Sequence, residues 1–141
     1  MSQSIQEIQE ELIEAFDLLE DWADKYEYLI DLGKKLPPMD PALKTDDLVI
    51  KGCQSKVWLH ATYQDGRIYF VADSEAVIVK GLISTLIRVL SGQSPQAILD
   101  ADLYFIDRIG MSQHLAQTRS NGLLSMLKQM KHYAVAFLGK N

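Results

Sequence analysis

Between Val57 and Ala72 the apolar residues fall at every second position: Val57, Leu59, Ala61 and Tyr63, then Ile68, Phe70 and Ala72. A period of two sends successive side chains to opposite faces of a strand, so each run presents one apolar face. Asp65-Gly66 stands between the runs. A two-residue hairpin turn needs positive φ at both positions, which Asp and Gly tolerate. The pair therefore predicts an antiparallel hairpin. Such a hairpin is marginal alone in water, so its apolar face must be covered by other parts of the chain.

Helices on both sides supply the cover. Ile5, Ile8, Leu12, Phe16 and Leu19 recur every three or four residues, the stripe of an amphipathic helix. Asp21 can cap a second helix with Trp22, Tyr26, Leu29, Ile30 and Leu36 on its apolar face, and Pro37-Pro38 ends it. A mixed-charge loop follows from Pro38 to Leu48, and a short strand is expected at Leu48–Lys51. Downstream, Ser74 can cap a helix that runs to about Leu90 and is apolar on most sides. Ser94-Pro95 opens short helices over Gln96 to Ile109, with Gly110 as their stop. Thr118 caps a last helix with Leu123, Leu127, Met130, Ala134 and Phe137 on its buried stripe. This order predicts an α+β fold: a small antiparallel sheet of about three strands packed against several helices, in one domain spanning 1–141.

Composition narrows the function classes. A net charge of −5, with no run of Lys and Arg, argues against nucleic acid as the partner. The stretch Ala76–Leu90 is too short and, with Lys80 and Arg88, too charged to span a bilayer. The N-terminus lacks a basic n-region and an apolar h-region, so no signal peptide is expected. A single cysteine cannot form an intramolecular disulfide, which agrees with a cytoplasmic location.

That cysteine, Cys53, is the first candidate for chemistry. An isolated cysteine is commonly a small buried hydrophobe, but here Gly52 precedes it and the polar Gln54 and Ser55 follow. The setting is a loop between two strands, where chemistry concentrates. With no second cysteine, this chain alone holds no CxxC redox pair, four-cysteine zinc site or iron–sulfur cluster. A sulfur relay needs only one thiol per carrier, because donor and acceptor thiols belong to partners. No other cofactor or metal is indicated.

Three blocks carry a family resemblance. Gly52-Cys53-Gln54-Ser55-Lys56-Val57-Trp58 resembles the GCQSxVW signature of the SufE family. Asp73-Ser74-Glu75-Ala76-Val77-Ile78-Val79-Lys80-Gly81-Leu82 resembles its second block. His114-Leu115, followed by Arg119-Ser120-Asn121-Gly122-Leu123, resembles the third. The likeness runs from about Ile5 to Phe137. Where the family usually has a proline before the hydroxyl residue and arginine, this chain has Gln117. The resemblance implies a SufE/IscU-like fold and a Cys53 that accepts persulfide sulfur from a pyridoxal-phosphate-dependent cysteine desulfurase. It further implies an accessory protein rather than an enzyme, one that raises the desulfurase's turnover without binding its cofactor. The sulfur then goes to an iron–sulfur cluster scaffold or another acceptor.

Supporting residues are weighed against plainer roles. Lys51 and Lys56 flank the loop and read as solvated. Lys80 interrupts an apolar helix, so it should be paired, snorkel or face the site; it is expected to face the Cys53 loop. Asp73 or Ser74 can cap the helix that follows, and Asp73 can also border the docking surface. Gln54 and Ser55 can donate hydrogen bonds to a sulfur anion. Trp58 shares the outer phase of its strand with His60, as a covered ring or an interface anchor. His114 and Arg119 sit near the start of the last helix. Two rivals remain: a cysteine hydrolase using Cys53 with His60, His114 or His132, and an interaction module with an inert cysteine and an acidic N-terminal binding face.

Overall fold

The computed structural model describes residues 4–50, 56–110 and 117–139, with the side chains of 117–122 left aside. The predicted hairpin forms: β1 (Val57–Gln64) pairs antiparallel with β2 (Arg67–Ser74), in a register that sets Val57 opposite Ser74 and Gln64 opposite Arg67. Asp65 at φ 53° and Gly66 at φ 80° make the turn, the two left-handed positions that the sequence anticipates. Val57, Leu59, Ile68, Phe70 and Ala72 are buried on one face. Trp58, His60, Thr62, Tyr69, Val71 and Asp73 lie on the other.

The sheet among the described residues has two strands, not about three. At the expected Leu48–Lys51 strand, Val49 forms a lone bridge with Trp58, and the Ile50 amide donates to the Val57 carbonyl at 2.8 Å. Ahead of them, 3₁₀ turns at Pro41–Leu43 and Asp46–Leu48 use up the chain that a longer strand would need. A matching contact borders β2. There Ile68 bridges to Gln93, and the Phe70 amide donates to Ser91 Oγ at 3.0 Å.

Helix α1 (Ile5–Asp17) opens with a capping box between Ser4 and Glu7 and buries Ile8, Leu12, Ile13 and Phe16. Its Gln9 is also buried, bridging inward: Nε2 donates to the Asp102 carbonyl and Oε1 accepts from the Phe105 amide, both at 3.1 Å. Helix α2 (Trp22–Lys34) is capped by Asp21, as the sequence predicts. It crosses α3 (Val77–Leu90) at two glycines. A Cβ added to Gly33 would lie 2.9 Å from the Gly81 nitrogen, and one added to Gly81 would collide with the Leu29 carbonyl.

The short helices α4 (Pro95–Asp100) and α5 (Phe105–Arg108) follow, with Ser94 capping α4 and Gly110 at φ 83° after α5. The long α6 (Gln117–Leu138) buries Leu123, Met126, Met130 and Ala134. It already includes Gln117, so Thr118 lies inside its first turn rather than capping it. Tyr63 stacks on Phe137 with ring centroids 5.3 Å apart, and Phe70 meets Tyr133 edge-on. These contacts lay α6 over the apolar face of the hairpin. One continuous apolar core draws on the two strands and each of the six α-helices among the described residues. The fold is α+β.

Candidate functional site

The open end of the hairpin gathers the described site residues. Trp58 and Asp73 are direct cross-strand partners on the outer sheet face, so their side chains emerge together. Asp73 is buried, and two ammonium groups meet its carboxylate. Lys44 Nζ lies 2.6 Å from Oδ2, and Lys80 Nζ lies 3.3 Å from Oδ1. The Ser74 amide adds a 2.8 Å bond to Oδ1. Burial alone would raise the Asp73 pKa; the bonds from Lys44, the Ser74 amide and Lys80 outweigh it and hold the carboxyl below its ordinary 3.8. Lys44 Nζ also stands 5.4 Å from the centre of the Trp58 ring, within cation–π range. The Lys44 ammonium thus stands over the Trp58 ring.

Ser74 does different work from the predicted cap. Helix α3 has Ala76 as its N-cap residue, with no side-chain cap bond. Ser74 Oγ accepts from the Ala76 amide at 3.2 Å and donates to the Lys56 carbonyl at 2.9 Å, and the Glu75 amide donates to the same carbonyl at 3.3 Å. The corner between β2 and α3 therefore tethers the chain where it enters β1. Asp73 caps no helix either, since its carboxylate is occupied by the two lysines. Lys80 reaches it because the close α2–α3 crossing at Gly33 and Gly81 seats the Lys80 stem against α2. Its charge is paired, as its place in an apolar helix requires.

Gly52, Cys53, Gln54 and Ser55, with Lys51, lie outside the described residues, as does His114; Arg119 falls in α6 with its side chain outside them. The structure describes both ends of the Cys53 segment. Ile50 and Val57 are hydrogen-bonded together, and Lys56 is tied to Ser74 and Glu75. Of the candidate histidines, His60 is half-buried on the outer sheet face. His132 is exposed on α6 and lines a cleft of about 410 Å³ with Asp47, Ile50, Leu59 and Lys128. Among the described residues, no group of three His, Cys, Asp or Glu side chains could hold a metal ion, and no helix is long and apolar enough to cross a membrane.

Lys44 is the residue that sequence reasoning missed. It sits in a stretch without periodicity, and nothing local marks it. Only the fold brings it across to β2.

Comparison with known proteins agrees with the fold and the motif blocks. A family model described as "SufE: Fe-S metabolism associated domain" matches residues 10–134. An uncharacterised SufE-like protein of Rhizobium meliloti is 38% identical over 130 residues, covering 89% of this chain and 93% of its own. An uncharacterised SufE-like protein of Rhizobium etli is 37% identical over 131 residues, covering 89% and 88%. SufE-like protein 1 of Arabidopsis thaliana, named as chloroplastic/mitochondrial, is 37% identical over 127 residues; the match takes in 89% of this chain but 34% of that longer one. The solution structure of a hypothetical protein from Thermus thermophilus superposes with a TM-score of 0.77 at 22% identity, over 93% of this chain and 96% of the other, a likeness of fold. With its family match, its relatives and its α+β fold in agreement, this chain belongs to the SufE family, whose domain is associated with Fe–S metabolism.

Proposed function

We propose that this protein is a sulfur carrier: Cys53 accepts sulfane sulfur from a pyridoxal-phosphate-dependent cysteine desulfurase, raises that enzyme's turnover and passes the sulfur on for iron–sulfur cluster assembly. The observation that carries the reading is where Cys53 falls. It lies within the matched span 10–134, on a segment whose ends are fastened to each other and to the Asp73-Ser74 corner. Cys53 is three residues from Ile50 and three from Lys56. A chain of that length spans at most about 11 Å.

The transfer is a thiol–persulfide exchange. The Cys53 thiolate attacks the outer sulfur of the desulfurase's cysteine persulfide. A new S–S bond forms on Cys53 while the S–S bond in the donor breaks, and the donor cysteine leaves as a thiolate with the electron pair. The proton of the persulfide travels with its sulfur, so no oxidant or reductant is consumed. Lacking a second cysteine, the carrier cannot discharge its load as an internal disulfide. The protein keeps no cofactor of its own in this scheme. We place it in the cytoplasm, where a lone thiol remains reduced.

The test is an intact-mass spectrum after incubation with a cysteine desulfurase and free cysteine. A gain of one sulfur atom, reversed by reductant and absent in Cys53→Ser, is the expected result. An unchanged mass, with the thiol still open to alkylation, would instead favour an interaction module.

A further inference from the structure

The corner formed by Asp73 and Ser74 holds both limbs of the segment that carries Cys53. The incoming limb is held through Lys44: its ammonium bonds Asp73 at 2.6 Å and stands over Trp58, which in turn bridges to Val49. The outgoing limb is held at Lys56, whose carbonyl accepts from Ser74 Oγ at 2.9 Å and from the Glu75 amide. The Ile50–Val57 bond joins the limbs directly. Lys80 anchors the same carboxylate to α3. The Asp73 carboxylate thus connects the loop before the segment to the helix behind it, and Ser74 beside it holds the chain that enters β1.

We infer that Lys44 and Asp73 are positioning residues for the sulfur transfer, acting by fixing the incoming chain limb against the corner that holds the outgoing one. The inference rests on the carrier reading above and adds a residue, Lys44, to it. Exposed ion pairs contribute little to stability, but Asp73 is buried with a side-chain exposure of 12%. Placement matters in transfer chemistry, because an error of about 1 Å in the attacking group can cost roughly a hundredfold in rate.

The experiment measures sulfur loading of the full chain against desulfurase concentration for wild type, Lys44→Met, Asp73→Asn, the double variant and Lys44→Arg. Both single variants should lose roughly tenfold in maximal loading rate while half-saturation stays in place, the pattern of an interaction that acts at the transfer step rather than in binding. The double variant should be no worse than either single, because the two share one interaction. Lys44→Arg, which keeps the ion pair, should restore the rate. Amide exchange at Ile50 and Glu75 should speed up in Lys44→Met and Asp73→Asn, with the α6 amides unchanged.

A charge effect alone would predict the opposite signs: Lys44→Met slower and Asp73→Asn faster, since the second frees two ammonium groups to favour a thiolate. That outcome, or wild-type rates in both variants, overturns the positioning role while leaving the carrier reading intact. A wild-type chain that gains no sulfur overturns the carrier reading itself.

Discussion

Asp73 shows how one side chain can be given to tertiary structure when local rules offer it a cheaper place. A carboxylate at the residue just before a helix ordinarily caps it, the role the sequence offered Asp73, but α3 begins at Val77, four residues on. Here the carboxylate turns to Lys44 and Lys80, and α3 starts without a side-chain cap. Because the folded-state pKa is lowered, ionised Asp73 contributes stability that is fully present above the ordinary aspartate value of 3.8. That contribution fades as pH falls through the lower folded-state value. Asp73→Asn should therefore melt below wild type at pH 7 and draw level as the medium is acidified past that range, a comparison that scanning calorimetry makes directly. Of this cluster the sequence disclosed Asp73, Trp58 and Lys80, because each interrupts a pattern or ends an element. Lys44 broke no pattern, so it stayed invisible until the chain folded.

At the scale of elements, period carried most of the information. The hairpin, its Asp65-Gly66 turn and the apolar stripes of α1 and α6 follow from spacings that sterics enforce. That the described residues show two strands rather than about three follows from something else. Whether Val49 and Ile50 extend into a ladder depends on where the 3₁₀ turns at Pro41–Leu43 and Asp46–Leu48 leave them, and short apolar runs do not encode that. Gln9 was equally hidden, a polar residue within a buried stripe that is explained only by the distant backbone it bridges. The α2–α3 crossing tolerates little change. Gly81→Ala would push a methyl group into the Leu29 carbonyl, and overpacking of this kind costs about 1–3 kcal/mol. Urea denaturation should show that loss with an unaltered m-value. Alanine at exposed Gly139, where an added Cβ meets nothing within 4 Å, should leave the midpoint near wild type.

Over the whole molecule, charge is unevenly shared. The first 31 residues hold ten carboxylates, from Glu7 to Asp31, against Lys25 alone; the remaining residues hold nine acids and thirteen bases. All ten carboxylates are exposed on or beside α1 and α2. Their mutual repulsion is screened over a Debye length of about 10 Å at 0.1 M salt. The melting temperature should therefore climb as sodium chloride rises from low concentration to roughly that level. The deficit of Lys44→Met should shrink much less across the same series, because its partner is buried. A melting point indifferent to salt would mean the acidic helices are already neutralised by their surroundings.

The short bridges beside the hairpin matter beyond the fold. A sheet of two strands has two rims, and an open rim invites a strand from another molecule. Gln93 and Ser91 occupy the backbone of Ile68 and Phe70 on one side, while Ile50 occupies Val57 on the other. These contacts leave an approaching copy fewer backbone groups on which to add a strand. For a protein proposed to work by meeting other proteins in succession, that reserve keeps encounters to side chains, and so to the partners that fit them.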